Sequence, residues 1–146
     1  MKKMMFAMFL LFAALLNVNA GNDRIITKDK LPAAAQAFIN THFPALKLSF
    51  AKEERDFMER SYEVVFVDGS KLEFTGKGEW TEVDCRYSEV PAAIIPAAIM
   101  EYVLQNFPAE RVIKIERETG NYEVQLSNRN EITFDKKLRI IDIDSH

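Results

Sequence analysis

Two segments of the chain carry apolar residues at the spacing of an amphipathic helix. The helical positions are Leu31, Ala34, Ala35, Phe38, Ile39 and His42 in the first segment, and Ile95, Ala98, Ile99, Tyr102 and Val103 in the second. Pro32 and Pro96 suit a first helical turn, where the N–H that proline lacks would have no partner. Pro44 and Pro108 end both patterns, since proline disfavours a helical conformation in the residue before it. We therefore predict one helix within 31–43 and another within 95–107.

Apolar and polar residues alternate after each predicted helix, as in strands with one buried face. The inward positions are Tyr62, Val64, Phe66, Leu72 and Phe74 in the first half, and Tyr122, Val124, Leu126, Ile132 and Phe134 in the second. Earlier strands are predicted at 46–52 and 112–117, and closing strands at 80–85 and 140–144. Each helix is thus followed by four predicted strands.

The two halves also resemble each other in sequence. LPAAAQAFINTHFP (31–44) recurs sixty-four positions later as IPAAIMEYVLQNFP, and YEVVFVDGSKLEF (62–74) recurs sixty positions later as YEVQLSNRNEITF. The difference places four extra residues in the first half, within 51–61. The predicted fold class is α+β, a tandem repeat of a helix plus four antiparallel strands, with the helices packed on one face of the sheet. The repeats span about 28–85 and 91–146.

The N-terminal residues 1–20, MKKMMFAMFLLFAALLNVNA, have the pattern of a secretory signal peptide: two lysines, an apolar run and a small-residue exit. The apolar run, 4–16, is shorter than the about 20 residues that cross a bilayer. We expect cleavage near Ala20, which leaves 21–146 as a single domain with no stable membrane span. The predicted location is periplasmic or secreted.

The charge balance is acidic. The formal net charge of −3 becomes −5 when the two lysines of the predicted signal peptide are removed, which argues against nucleic acid as a partner. Cys85 is the only cysteine, so no intramolecular disulfide forms. We expect it to be a small buried side chain, with an intermolecular disulfide or a reactive thiol as alternatives.

The sequence contains no pattern typical of an enzyme: no Ser/His/Asp arrangement, Gly-rich phosphate loop or paired-His metal motif. We predict no catalytic residue and no cofactor. Asp142, Asp144 and His146 alternate along the last strand and are weak candidates for ligands of a divalent cation. A solvated terminal strand explains the same residues.

Several motifs recur in order: Leu-Pro or Ile-Pro opening a helix that ends in Phe-Pro, strands of the YEVxF and LEF type, and an aromatic-led closing strand. In these respects the chain resembles the PepSY-like, beta-lactamase-inhibitor-like family of exported bacterial proteins, typical of the periplasm of Bacteroidetes. The resemblance covers residues 21–146. It implies tandem helix-plus-sheet units and a non-enzymatic, protein-binding or inhibitory role. The second half departs from the first at Leu138 and Ile140, where the first has Gly78 and Trp80.

The strand alternation also predicts which residues occupy the sheet face that no helix covers. In the closing strands Val83, Cys85, Ile141 and Ile143 are expected to point inward. The candidate partner-binding residues on the uncovered face are Trp80, Val65, Val67, Glu63, Glu73, Glu82, Asp84 and Ile140.

An acidic face centred on an exposed Trp80 suggests an envelope or extracellular protein or peptide with a basic group as partner. Ordinary solvated charges on a sheet, or a Trp80 turned inward or covered by a dimer, explain the same pattern. Binding of a small ligand or divalent cation in the envelope is the alternative function.

Overall fold

A computed structural model describes residues 22–146 of the chain. The predicted signal peptide lies outside the described residues. The strands are β1 (Arg24–Ile26), β2 (Leu48–Asp56), β3 (Glu59–Phe66), β4 (Lys71–Thr75), β5 (Trp80–Asp84), β6 (Val112–Glu118), β7 (Asn121–Leu126), β8 (Glu131–Phe134) and β9 (Ile140–Asp144). The helices are α1 (Ala33–His42) and α2 (Ala97–Asn106), with short 3-10 helices at Lys28–Lys30 and Ala92–Ile94.

The two helices lie where the proline pattern predicts them. Pro32 and Pro96 occupy the N-cap positions of α1 and α2. Phe43 and Phe107 leave helical geometry, with φ of −132° and −136°, and their N–H groups still donate to the carbonyls of Ile39 and Val103. Both helix predictions are confirmed.

The nine strands within residues 22–146 form one antiparallel sheet, in which each strand lies beside its neighbours in sequence. The predicted tandem repeat of a helix plus four strands is therefore wrong. β5 pairs with β6, so no boundary divides the sheet, and β1 adds a strand that the alternation did not indicate. Sequence periodicity reports which face of a strand is buried, but it does not report which edges pair. An unpaired edge leaves a row of backbone donors and acceptors open, and the β5–β6 pairing removes two such edges.

The helices cover one face of this sheet. Rings of α1 and its C-cap lie 5.6 Å from strand rings, Phe38 against Phe74 and Phe43 against Phe66. In the second half, Tyr102 of α2 lies 5.9 Å from Phe134. The predicted inward residues of β3, β4, β7 and β8 are buried, apart from a partly buried Tyr122 that packs against them. The core therefore sits between the helices and this covered face.

The four extra residues of the first half lengthen the β2–β3 hairpin, as the sequence comparison predicts. Its turn residues Phe57 and Met58 are fully exposed, and Phe57 has a φ of +48°. The shorter β6–β7 hairpin turns at Thr119 and Gly120 instead. A bulky residue with positive φ is uncommon and costs backbone energy. The alternation pattern gave no sign of this exposed apolar tip.

Candidate binding surface on the open sheet face

The sheet face opposite the helices is uncovered, and we call it the open face. Residues directly opposite each other on neighbouring strands point to the same side, about 5 Å apart. The pairings Glu63↔Glu73, Glu73↔Glu82, Glu82↔Glu116 and Glu116↔Glu123 place five glutamates side by side on β3 to β7. We call Glu63, Glu73, Glu82, Glu116 and Glu123 the carboxylate row. It crosses the β5–β6 junction without interruption.

Two lysines that lie beside the carboxylate row on the open face partly neutralise its charge. The carboxylate oxygens of Glu82 lie 2.9 Å from Nζ of Lys114 and 3.3 Å from Nζ of Lys71, although neither oxygen accepts a hydrogen bond with good geometry. Lys114 also lies 2.8 Å from Glu116. Burial disfavours the charge of Lys114, but attraction from Glu82 and Glu116 outweighs it and raises the lysine pKa. Lys114 is therefore charged.

The carboxyl groups of the row do not all ionise at neutral pH. Burial, reinforced by the charge of neighbouring glutamates, raises the pKa of Glu73 and of Glu123 to about 8. Burial likewise raises the pKa of Glu116 to about 7, against the attraction of Lys114. Glu82 behaves oppositely, because Lys114 and Lys71 overcome the effect of its burial and lower its pKa. The row thus combines one firmly ionised carboxylate with neighbours that hold protons.

Such a row can exchange protons for another cation. A positive group that approaches the protonated carboxyls favours their charged form and lowers their pKa. Glu63, whose pKa is also raised chiefly by burial, would respond in the same way. The open face is therefore chemically suited to a cationic ligand, and binding should release protons.

Apolar side chains border the row on the side of β2. Val65 lies opposite Phe50 on the open face. Val67 follows β3 and is largely exposed, while its N–H donates to the carbonyl of Lys47. Val65 and Phe50 therefore form an apolar border of the row, and Phe50 is a residue that the sequence analysis did not include.

Trp80 lies on the covered face, so the prediction that it centres the open face is wrong. A β-bulge between Glu73 and Phe74 places Trp80 opposite Phe74. The indole is only 9% exposed and lies 6.3 Å from the ring of Phe38. The guanidinium carbon of Arg117 stands 4.0 Å from the ring centre, and Nε of Arg117 donates to the Trp80 carbonyl at 2.7 Å.

Ile140 also lies on the covered side instead of the predicted open face, and the reason is again a β-bulge. A second bulge, between Thr133 and Phe134, places Ile140 opposite Phe134 on the covered side rather than on the open face. Ile143 lies opposite the buried Ile132, as predicted, but remains exposed, as does Ile141 beside the bulge. The alternation rule fails at both closing strands because an inserted residue reverses the side to which the following side chains point.

Glu82 and Asp84 point to the open face but are almost fully buried there. Asp84 lies opposite Lys71 on one side and Lys114 on the other, and its carboxylate is 2.8 Å from the Arg86 guanidinium. These two carboxylates therefore hold the strands together electrostatically more than they offer a contact surface. Glu63 and Glu73 are the more accessible candidates.

The structure brings together a different set of candidate metal ligands from the predicted one. Donor atoms of Glu131, Asp144 and His146 lie within 4.8 Å of one another. Asp142 is not part of this group and lies opposite Thr133. Nε2 of His146 is 3.3 Å from the Asp144 carboxylate. The alternation along β9 suggested two of the three, and the cross-strand Glu131 could be found only from the β8–β9 register.

Lys71, Lys114 and Glu116 are further residues of the open face that the sequence analysis missed. A shallow depression there is lined by Lys114, Glu116, Glu123, Gln125 and Glu131. β6 has a bulge between Val112 and Lys114, and β2 has one between Leu48 and Phe50. These bulges place both Lys114 and Phe50 on the open face. In the sequence, the offset of sixty-four positions between the two halves aligns Phe50 with Lys114, and this match of an apolar with a charged residue was a sign that the strand register is irregular here.

Cys85 is buried, as expected, and its burial raises the thiol pKa to about 11. Only 1% of this residue is exposed, so it offers no contact surface on the open face. The thiol is therefore not a candidate nucleophile.

Comparison with known proteins identifies a matching family. Residues 60–142 match the family model described as "Putative beta-lactamase-inhibitor-like, PepSY-like". No curated protein matches the chain significantly. None of the helices within residues 22–146 has the length and apolar character needed to span a membrane.

Three solved structures have the same fold as this chain. A "putative calcium-regulated periplasmic protein" from Bacteroides thetaiotaomicron is 52% identical, with 85% of this chain and 98% of that one covered and a TM-score of 0.83. A putative periplasmic protein from Bacteroides vulgatus is 51% identical, with 86% and 99% covered and a TM-score of 0.84. A periplasmic protein of unknown function from the same species is 38% identical, with 85% and 100% covered and a TM-score of 0.81.

Proposed function

Because the chain belongs to the family described as putative beta-lactamase-inhibitor-like and PepSY-like, we propose that it is a non-enzymatic periplasmic binding protein. In this proposal the signal peptide is removed near Ala20. The open face then binds a cationic segment of an envelope protein or peptide. The periplasmic descriptions of three structural relatives support the location.

The carboxylate row is the observation that carries this proposal. Five glutamates on neighbouring strands share three close cations among the described residues of this face: Lys71 and Lys114 beside Glu82, and Lys52 opposite Glu63. Carboxyl groups that hold protons near neutral pH are costly to keep charged without a partner. A lysine or arginine side chain laid across the row would supply that partner. The apolar residues Val65 and Phe50 at its border would add contact area.

The experiment is calorimetric titration of residues 21–146 with hexalysine amide at low ionic strength and pH 7, in two buffers of different ionisation enthalpy. We expect binding accompanied by proton release, because the peptide lowers the pKa of the row. The variant Glu63→Gln with Glu123→Gln should bind about tenfold more weakly and release fewer protons. Binding without proton release would contradict the use of the row.

A matched control separates the row from net charge. Glu89→Gln with Glu101→Gln replaces two glutamates at exposed positions away from the row and removes at least as much negative charge as the row variant. This variant should bind hexalysine as the parent does and release the same number of protons. Equal weakening of both variants would show that only the overall acidity of the protein attracts the peptide.

Divalent-cation binding is the second candidate function. The group of Glu131, Asp144 and His146 favours it, as does the calcium-regulated description of the relative that is 52% identical. A cation that binds the folded state raises the melting temperature in proportion to the logarithm of its concentration. We expect millimolar CaCl₂ to raise that temperature in the parent and not in Glu131→Gln with Asp144→Asn. An identical shift in both proteins would remove this site from consideration.

A further inference from the structure

The last strand leaves one edge of the sheet unoccupied. β9 pairs with β8 and with no other strand among residues 22–146. We call the outer side of Ile140–Asp144 the β9 edge. An open strand edge offers backbone donors and acceptors to any extended chain that can lie beside it. The side chains around the edge decide which chain can do so.

β9 repeats the pairing geometry of β5. In the β4–β5 pair, Lys71 lies opposite Asp84, Leu72 opposite Val83 and Phe74 opposite Trp80. In the β8–β9 pair, Glu131 lies opposite Asp144, Ile132 opposite Ile143 and Phe134 opposite Ile140. A bulge occurs at the same step of both pairs. What lies along β5 in this molecule therefore indicates what can lie along β9.

A comparison of the burial of β5 and β9 shows what a strand paired with β9 would provide. β6 covers β5, and Val83 is 0% exposed and lies opposite Ile115. At the same position of β9, Ile143 is 43% exposed. Trp80 is 9% exposed beneath Arg117 of β6, whereas Ile140 is 38% exposed. The β9 edge thus lacks an apolar neighbour opposite Ile143.

The charges along β5 and β9 indicate which other side chains an added strand should carry. β6 places Lys114 opposite Asp84 and Glu116 opposite Glu82. Nζ of Lys114 lies 2.9 Å from the Glu82 carboxylate, whose charge it balances. The corresponding residues of β9 are Asp144 and Asp142, both acidic. A second copy of β9 is a poor occupant, because two antiparallel copies would bring Asp142 and Asp144 of each chain together on one face. A strand with an apolar residue flanked by lysine or arginine fits both the apolar and the acidic positions.

We propose that the β9 edge adds an extended, cationic segment of a partner protein as a tenth, antiparallel strand, in the register that β6 takes on β5. An apolar side chain of the segment lies opposite Ile143, and basic side chains lie opposite Asp142 and Asp144. The added strand continues the open face, so this inference rests on the proposed binding of a cationic partner and specifies where that partner enters.

The test uses a peptide with the sequence of residues 112–118 carrying Glu116→Lys, added to residues 21–146. Amide hydrogen exchange followed by NMR reads each strand separately. We expect the peptide to slow exchange in β9 and not in β1, the opposite edge of the sheet. Replacing the lysine equivalent to Lys114 by glutamate should weaken peptide binding at least about tenfold, since a repulsive pair replaces an attractive one.

Variants of the protein locate the contact. Asp142→Asn with Asp144→Asn should weaken peptide binding about tenfold while the far-ultraviolet circular dichroism stays unchanged. Ile25→Thr alters an exposed residue of β1 and serves as the matched control, with binding expected to equal that of the parent. Equal loss in both variants would overturn the assignment of the edge.

Other outcomes separate this inference from the proposed function. Slowed exchange confined to β3, β4 and β7, with β9 unaffected, would overturn the strand addition and leave open-face binding intact. Protection of β9 in the free protein together with a dimer in sedimentation would assign the edge to a second copy and overturn the proposal. So would an unprotected β9 when the same peptide is joined after His146 by a flexible linker, which gives a millimolar effective concentration.

Discussion

The hairpins β4–β5 and β8–β9 have the same register and the same bulge, yet the second strand of one is buried and the second strand of the other is largely exposed. β5 lies between two strands and beneath Phe38 of α1. β9 lies at the end of the sheet. Local sequence sets the pairing of a hairpin, but neighbours that are distant in sequence set its burial. The same pattern thus produces a structural strand in one place and a candidate docking strand in the other.

The turns of the two hairpins contribute to this difference. Gly78 has a φ of +87°, and a Cβ there would lie 2.8 Å from Cβ of Pro32 and 3.0 Å from the backbone nitrogen of Ala35. The start of α1 therefore lies directly on this turn. The other hairpin has Leu138, with φ of +62° and a side chain packed against the core. A glycine at one turn allows a close helix, and a leucine occupies the equivalent place at the other.

The largest expected difference between the hairpins is at Trp80 and Ile140, the first residues of their second strands. Trp80→Ala should lower the free energy of unfolding by about 4 kcal/mol, because it leaves a large cavity beside Phe38. Ile140→Ala removes a side chain that is already 38% exposed and should cost only about 1 kcal/mol. Urea unfolding of both variants measures the two values. Equal costs would mean that the two hairpins are packed alike.

The turn substitutions should give the next largest effect. Gly78→Ala introduces a Cβ against the backbone of α1 and strains a positive φ, so we expect a loss of about 2 kcal/mol. Gly120→Ala is the matched control, since φ is +86° and the nearest atom is Cβ of Lys136 at 3.0 Å. It carries the φ cost without a helix backbone to displace, so about 1 kcal/mol is expected. Thermal unfolding compares them.

The pH dependence of stability tests the carboxylate row, which spans both halves. Glu73 and Glu123 have an ordinary pKa of 4.5 that rises to about 8 on folding. Between these values the folded protein binds more protons than the unfolded chain, so stability falls as pH rises from about 5 to 8. The Glu73 side chain is 40% exposed, and solvent screening therefore limits the effect to a few degrees of melting temperature.

Amide variants sharpen this result. Glu73→Gln with Glu123→Gln should reduce the slope between pH 5 and 8, since glutamine binds no proton in that range, and the raised pKa of Glu116 accounts for part of the slope that remains. Glu101→Gln, on an exposed position of α2, should leave the slope unchanged. A slope as steep as that of the parent would place its origin outside Glu73 and Glu123.

The smallest expected effect concerns Cys85, which follows β5. Its thiol is buried, and burial raises its pKa to about 11. The corresponding residue after β9 is Ser145. In native protein, a thiol reagent such as Ellman's should label Cys85 negligibly over hours, with full labelling in denaturant. Prompt native labelling would show that β5 opens far more readily than its burial indicates.

Much of the local structure could be predicted from the sequence. Pro32, Pro44, Pro96 and Pro108 delimit both helices, and the alternation from Tyr62 to Phe74 identifies the buried face. Those features depend on residues near each other along the chain. The pattern could not reveal the β5–β6 pairing, since nothing local distinguishes a strand that continues a sheet from one that ends it.

The candidate site was predictable only in part. Glu63 and Glu73 follow from simple alternation, and the structure places both on the open face. Trp80 and Ile140 were misplaced because each β-bulge adds one residue, and a one-residue shift exchanges the two faces of a strand. Glu116 and Lys114 were missed because their strand carries a bulge of its own.

The order of the strands has a consequence for how the protein acquires its shape. Each strand lies beside the one made just before it, so the hairpin contacts are short in sequence, an arrangement associated with fast folding. A chain that emerges from its N-terminus can extend the sheet one strand at a time. Each new strand then pairs with the free edge of the strand before it. β9 is the last strand of the described residues, so among them its outer edge is the one that no later strand covers.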